Sequence, residues 1–344
     1  MRLGQIARIA GFAGLFWNIA VPGWAQIAEI TGSRALGMAG AFVAVASDSS
    51  ATWWNPAGLA AGPFLDVAMA TNRVETSQEL PAWRHKIASL AIGTPPIGFG
   101  YYRFRITDIR PFDPTGSSAA DREDRRAVPV RSLSASQVGV TLVRTLIPGV
   151  HAGTTVKYVR GTLRQTRGDP ATAPSELLRL GESLDSGNSE GRFDLDIGVL
   201  VVTGPLRLGA RMRNVLEPQF ESATSESVGN GMLQLPREFR VGAAFDPEAA
   251  TGVPLVVALD VDAVRYESVS GVRRVVALGG EQWLFDKRLG IRAGARANTV
   301  GARGKAATAG VSVAVRPGLY LDGHAVRGGS DEEAGWGLAA RVSF

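Results

Sequence analysis

The sequence contains no cysteine. That excludes a disulfide framework and any thiolate metal site. Only three histidines occur in 344 residues, and there is no HExxH, GxSxG or Walker A segment. GARGK at 301–305 lacks the spacing of a phosphate-binding loop. His85, His151 and His324 lie far apart in the chain, so neither a metal cluster nor a catalytic centre is expected. The chain reads as a non-enzyme without a cofactor. After the N-terminus no run of 18 apolar residues occurs, and mean hydropathy is near zero, which excludes a bundle of membrane helices. Charge of one sign is also lacking. Lys and Arg number 37 against 32 Asp and Glu, and the arginines are scattered singly, so the basic stripe of a nucleic-acid binder is missing.

What is present begins with a secretory signal at 1–25. Arg2 and Arg8 supply its positive end, 9–21 its apolar stretch, and Gly23 and Ala25 the small residues before cleavage. The apolar stretch is shorter than the roughly 20 residues of a spanning helix. From residue 63 onward, short segments alternate with period two, the signature of strands with two unlike faces. In 206–214, Leu206, Leu208, Ala210 and Met212 oppose Arg207, Gly209, Arg211 and Arg213. In 288–297, Leu289, Ile291, Ala293, Ala295 and Ala297 oppose Arg288, Gly290, Arg292, Gly294 and Arg296. Phe193, Leu195, Ile197 and Val199 oppose Asp194, Asp196 and Gly198, and Leu255, Val257, Leu259 and Val261 oppose Asp260 and Asp262.

A soluble sandwich alternates too. Here the polar face carries arginine and aspartate interleaved with glycine on strand after strand. A polar barrel lumen tolerates that, with opposite charges paired across neighbours. The fold expected is an all-β, 14-stranded antiparallel transmembrane barrel. Its strands are placed at 64–74, 84–93, 97–106, 133–146, 150–164, 192–202, 206–214, 236–245, 254–264, 273–283, 288–297, 305–315, 319–326 and 335–344. Short connections containing Pro or Gly, as at 94–96, 147–149, 203–205 and 316–318, alternate with long ones. Asp194, Asp196, Arg207, Arg211, Arg213, Asp260, Asp262, Arg288, Arg292 and Arg296 are the expected lumen charge network. Within 97–106 the alternation slips by one residue at Tyr101–Tyr102, which reads as a β-bulge. Ser175 to Leu184 reads as a short amphipathic helix at the barrel mouth, either packing its own loop or offering a greasy landing site. Trp53, Trp54 and Trp83 belong either to a membrane interface or to the packing of the N-terminal stretch.

That stretch, GSRALGMAGAFVAVASDSSATWWNPAGLA at 32–60, is too rich in small residues for an ordinary core helix. Its Gly37–Phe42 core and its Asn55–Pro56–Ala57–Gly58–Leu59 motif resemble the start of FadL-type long-chain fatty-acid transporters, a superfamily with PorV-like and TraF-like members. The resemblance implies that 26–62 forms a hatch inside a barrel built from 63–344. Gly37, Gly40, Phe42, Asn55, Pro56, Ala57 and Gly58 would form the gate, hinged at the NPAG motif. It also implies a lateral exit at a kinked third strand, at Gly98, Gly100, Tyr101 and Tyr102. The implied function is passive uptake of a hydrophobic small-molecule ligand into the outer membrane. A sealed, PorV-like barrel that partners secreted proteins is the alternative. The final GWGLAARVSF places Trp336, Leu338, Ala340, Val342 and Phe344 on one face. It resembles the last strand of bacterial outer-membrane proteins, whose terminal Phe is read by the assembly machinery. Outer-membrane lipid and that machinery are thus the expected partners, and nucleic acid is not.

Overall fold

The computed structural model describes residues 31–77, 80–109, 128–184, 189–221, 232–268, 271–301, 304–329 and 333–344. The signal segment at 1–25 lies outside them. Fourteen strands form one closed barrel: β1 Asp66–Thr76, β2 Ala82–Gly93, β3 Ile97–Ile109, β4 Val128–Ile147, β5 Val150–Gly168, β6 Glu190–Thr203, β7 Leu206–Arg213, β8 Glu238–Phe245, β9 Leu255–Asp262, β10 Val275–Leu284, β11 Leu289–Asn298, β12 Lys305–Arg316, β13 Leu319–Gly328 and β14 Ala334–Ser343. Each pairs antiparallel with the next, and β14 closes on β1 from Asp66↔Ser343 to Glu75↔Ala334. Beyond that register Leu65 and Phe344 exchange backbone hydrogen bonds of 3.2 and 2.9 Å, so the last residue fastens the start of the barrel. All fourteen segments expected from the alternation are strands, with ends shifted by a few residues.

The alternation sorts residues by face. Gly209, Arg211 and Arg213 of β7 are buried inside, whereas Leu206 and Leu208 are exposed outside. The outer wall is an apolar band closed by aromatic residues at both ends. Phe64, Phe245, Phe285 and Phe344 stand exposed at the end with short turns, and Tyr101, Tyr158, Phe193 and Trp336 toward the end with long loops. Trp336 and Phe344 are eight residues apart on one face. That is ~27 Å along the strand, or about 20 Å along the axis at a tilt of about 40°, close to the ~25 Å apolar band of such barrels. Among the described residues no helix is long and apolar enough to cross a membrane.

Two expectations about the strands are corrected. The third strand has no bulge. β3 pairs without a register shift on both sides, from Gly93↔Gly98 to Ala82↔Ile109 and from Ile97↔Leu142 to Ile109↔Val130. The alternation slips because the inner face itself changes character: Gly98 and Gly100 are followed inward by Tyr102, Phe104 and Ile106, all buried, while Arg103 points out. Arg288 is not in the lumen. It ends a turn at 285–288, where Phe285, Asp286 and Lys287 all take positive φ, and it is exposed.

The helix expected after β5 exists as α3 (Pro174–Ser183), but it does not sit over the mouth. It lies on the outer wall beyond the aromatic row. Leu177 and Leu178 are buried there against Ala82, Ile109, Val128 and Val130, all outward positions of β2–β4. Proline at its start spares an unsatisfied N–H. Leu178→Ala should cost roughly 2–4 kcal/mol of this docking. Trypsin cleavage within α3 should then accelerate while the heat-modifiable gel mobility of the barrel stays the same.

Candidate functional site

Residues 31–60 lie inside the ring of strands. Helix α1 (Ser33–Gly37) packs on β11–β14, α2 (Ala51–Trp54) on β2–β4, and a 3₁₀ turn, Pro56–Ala61, on β4–β6. Nearly every residue from Ser33 to Leu59 is buried, although many are alanine or glycine. The reason is a ring of inward glycines at this level of the wall. A Cβ at Gly279 or Gly294 would enter the backbone of Met38; at Gly209, that of Val43; at Gly198 and Gly153, Asn55 and Pro56; at Gly98, the side chains of Leu59 and Thr52. At Gly37 the approach is reciprocal, since its own Cβ would lie 3.2 Å from the Cα of Gly310. The wall therefore contributes backbone and the segment contributes bulk. Gly40, with φ of 82°, takes the chain around the turn after α1.

Charged side chains clamp the segment to the wall. Arg34 donates to Glu281 at 2.7 and 2.8 Å and to Asp48 at 3.0 Å. Glu281 also holds Arg292, which reaches Ser312 at 2.6 Å and Asp322 at 3.6 Å. One Asp260 oxygen accepts the N–H groups of Phe42 and Val43, both at 2.9 Å, and Asp66 accepts that of Ser49 at 2.8 Å. Two further clusters brace the wall itself. Lys157 meets Asp194 at 3.1 Å and Asp196 at 2.6 Å, and Arg240 meets Asp262 at 2.7 Å. Arg207 pairs with Asp246 nearer the turns, and Arg296 with Glu333 nearer the loops. Arg34, Asp48, Lys157, Arg240 and Glu281 are absent from the network expected from sequence. The last three carried a legible signal, a lone charge in polar-face phase. Arg34 and Asp48 carried none.

Aromatic residues complete the packing. Trp53 and Trp54 are buried in the lumen, which settles their place. Arg213 lies 3.7 Å from the Trp53 ring centroid, and Phe42 meets Trp54 edge-on at 6.0 Å. Trp83 faces inward at the mouth, beside His85 and a pocket of about 90 Å³ shared with Thr76, Arg273 and Arg296. The NPAG motif is a fastening. Asn55 donates to the carbonyls of Val43 (2.8 Å) and Val199 (3.0 Å) and accepts the N–H of Ala57, while Pro56 starts the 3₁₀ turn. Gly58 approaches the Ala46 carbonyl too closely for any Cβ. At β3, Thr52 and Leu59 fill the space before Gly98 and Gly100, and Thr52 shares a 2.6 Å hydrogen bond with the Tyr102 hydroxyl. Tyr101 points outward. Among the described residues no group of three or more His, Asp or Glu could hold a metal ion.

Two outcomes follow. Gly294→Leu should force Met38 from the wall at a cost of roughly 1–3 kcal/mol or more. Arg34 should then become a trypsin site, whereas Ala293→Leu, one residue away on the outer face, should leave it protected. Asp48 gives a pH dependence. Burial opposes its ionisation, but Arg34 and Arg341 outweigh that and hold its carboxyl below the ordinary 3.8. A carboxyl lowered on folding stabilises fully above its unfolded pKa and ceases to as pH falls through the folded one. Asp48's own contribution to segment docking, read by tryptophan fluorescence, should be flat from about pH 8 to about pH 5 and fall away only in stronger acid. Asp48→Asn should remove that acid limb.

The comparisons with known proteins agree with this geometry. No curated protein sequence matches the chain. Among solved structures, the CymD monoaromatic hydrocarbon channel is similar with a TM-score of 0.62 at 13% identity, covering 91% of this chain and 97% of that one. The Ralstonia pickettii toluene transporter TbuX gives 0.61 at 14% identity over 91% and 98%. A Pseudomonas aeruginosa FadL homologue gives 0.59 at 12% identity over 93% and 100%. At such identities the likeness establishes the FadL-type barrel fold. The profile of one family matches residues 68–262, more than half of the sequence, and the chain therefore belongs to the family described as F plasmid transfer operon, TraF, protein.

Proposed function

We propose that this chain is an outer-membrane barrel that passes hydrophobic small molecules, with the segment at 26–62 as its hatch. The observation that carries the reading is the character of the lumen beyond the segment. Toward the loop end the inner wall of β2–β5 presents Ile87, Phe104, Ile106, Leu133, Val159 and Leu163, and Phe220 and Leu235 pack with them. A water-filled pore has no use for such a wall. A greasy molecule would exchange water for it favourably. The fold's neighbours named as toluene and monoaromatic hydrocarbon channels support the same class of cargo.

The charged clamps then act as the latch. Arg34–Glu281 and Asp260–Phe42/Val43 must open before the segment moves. Its departure would uncover Gly93, Gly98 and Gly100, a patch of β2 and β3 without side chains beside the bilayer, and lateral release is proposed there. The ladders on both sides of β3 are closed, so the proposed exit is shut in this structure. The filled lumen also supports a second reading, a non-transporting barrel that serves secreted proteins as a partner in the outer membrane.

Uptake into proteoliposomes separates the two. Toluene or a long-chain fatty acid should enter faster than into protein-free vesicles. Asp260→Ala, which frees two segment amides, should raise the rate several-fold, at about 1.4 kcal/mol per tenfold. No acceleration with either compound, for either protein, would sink the transport reading.

A further inference from the structure

We infer that the outer wall of β3–β5 carries a ledge that binds a phosphorylated, multiply acylated lipid of the outer leaflet, with Arg103 and Arg160 as its phosphate contacts. The inference rests on the outer-membrane reading and is independent of whether the barrel transports anything.

Pairing places the ledge. Arg103 is opposite Ser136, and Ser136 is opposite Arg160, so the three form one row across β3, β4 and β5. All face outward, and both arginines are exposed. Two inter-strand steps separate the arginine Cα atoms by ~10 Å. The next row toward the turns is Tyr101, Val138 and Tyr158, and the one after it Phe99, Val140 and Val156. These are exposed apolar residues. Tyr158 also stacks obliquely on outward Phe193, with ring centroids 5.1 Å apart.

Helix α3 fixes where the membrane ends. It hugs the same wall on the other side of the ledge, and its exposed face carries Glu176 and Arg179, so it belongs in water. The hydrocarbon boundary therefore falls between α3 and the Tyr101–Val138–Tyr158 row, at the level of Arg103 and Arg160. Neighbouring cations already have partners. Glu182 of α3 takes Lys86 at 2.7 Å and Arg84 at 3.5 Å, and its backbone carbonyl takes Arg105. Among the described residues Arg160 donates to the neutral Ser189 hydroxyl, and no carboxylate is paired with it. The row is left positive above an apolar wall.

That combination has one matching chemistry. Acyl chains cover the lower rows, and phosphates meet guanidinium groups that bind them with two parallel hydrogen bonds. The ledge lies toward the long loops, so its lipid comes from the outer leaflet. Two arginines one strand apart on either side of a serine fit a disaccharide phosphorylated at both ends.

The test uses the purified barrel in non-ionic detergent, mixed with bisphosphorylated hexa-acyl lipid A or with phosphatidylglycerol and read by native mass spectrometry. One lipid A should be retained per barrel, in preference to phosphatidylglycerol. Arg103→Gln/Arg160→Gln should retain it roughly thirtyfold less, the loss expected for two cations at the headgroup level. Heat-modifiable mobility confirms that this variant is folded. Arg144→Gln/Arg316→Gln, at the turn end, should retain lipid A as the wild type does. Equal retention by the Arg103/Arg160 variant, equal retention of phosphatidylglycerol, or an equal loss in the turn-end variant would each overturn the assignment.

Discussion

A barrel of fourteen strands encloses more space than its own side chains fill here, and the structure depends on how that space is filled. At the level of residues 33–59 the wall turns glycine after glycine inward. Alone, that wall would enclose a void, and interiors do not tolerate voids cheaply. The N-terminal segment supplies the missing bulk with small residues at its closest approaches and with Phe42, Trp53 and Trp54 where room remains. Neither half makes physical sense without the other.

Charge then gives the fit its register. Arg34 links the segment's own Asp48 to Glu281 of the wall, and Asp260 binds two consecutive amides of the segment. Buried ion pairs add little net stability, because desolvation offsets their attraction. They are costly to break singly, which makes them position-specific. A segment held by close packing and by a few clamps can be held firmly in one place and still be released as a unit. On the proposed transport reading, the apolar wall of β2–β5 on the far side is what such a release would serve.

Much of this was legible in the sequence. Period two locates every barrel strand, and the face of most, because a wall between lipid and a polar lumen must alternate. The reading failed where the inner face stopped being polar. At Tyr102, Phe104 and Ile106 apolar residues point inward against Trp53 and the upper lumen, and a change of partner looked like a change of register. Arg288 continued the pattern of β11 by one residue, but a turn with three positive φ angles begins before it. Arg34 and Asp48 were invisible because their partners are hundreds of residues away or joined only by the fold. In the sequence the inward glycines are only small residues interleaved with charged ones. Their role as contact surfaces appears only once the segment lies against them.

The central claim, that transport requires the segment to leave the wall, can be tested with a reversible lock. The natural chain has no cysteine, so an introduced pair is unambiguous. A Cβ at Gly37 would lie 3.4 Å from that of Arg292, within about 0.1 Å of the shortest separation a disulfide spans. In proteoliposomes carrying Gly37→Cys/Arg292→Cys, uptake of a hydrophobic compound should stop on oxidation and return on reduction. Equal uptake in the oxidised and reduced forms would contradict the claim.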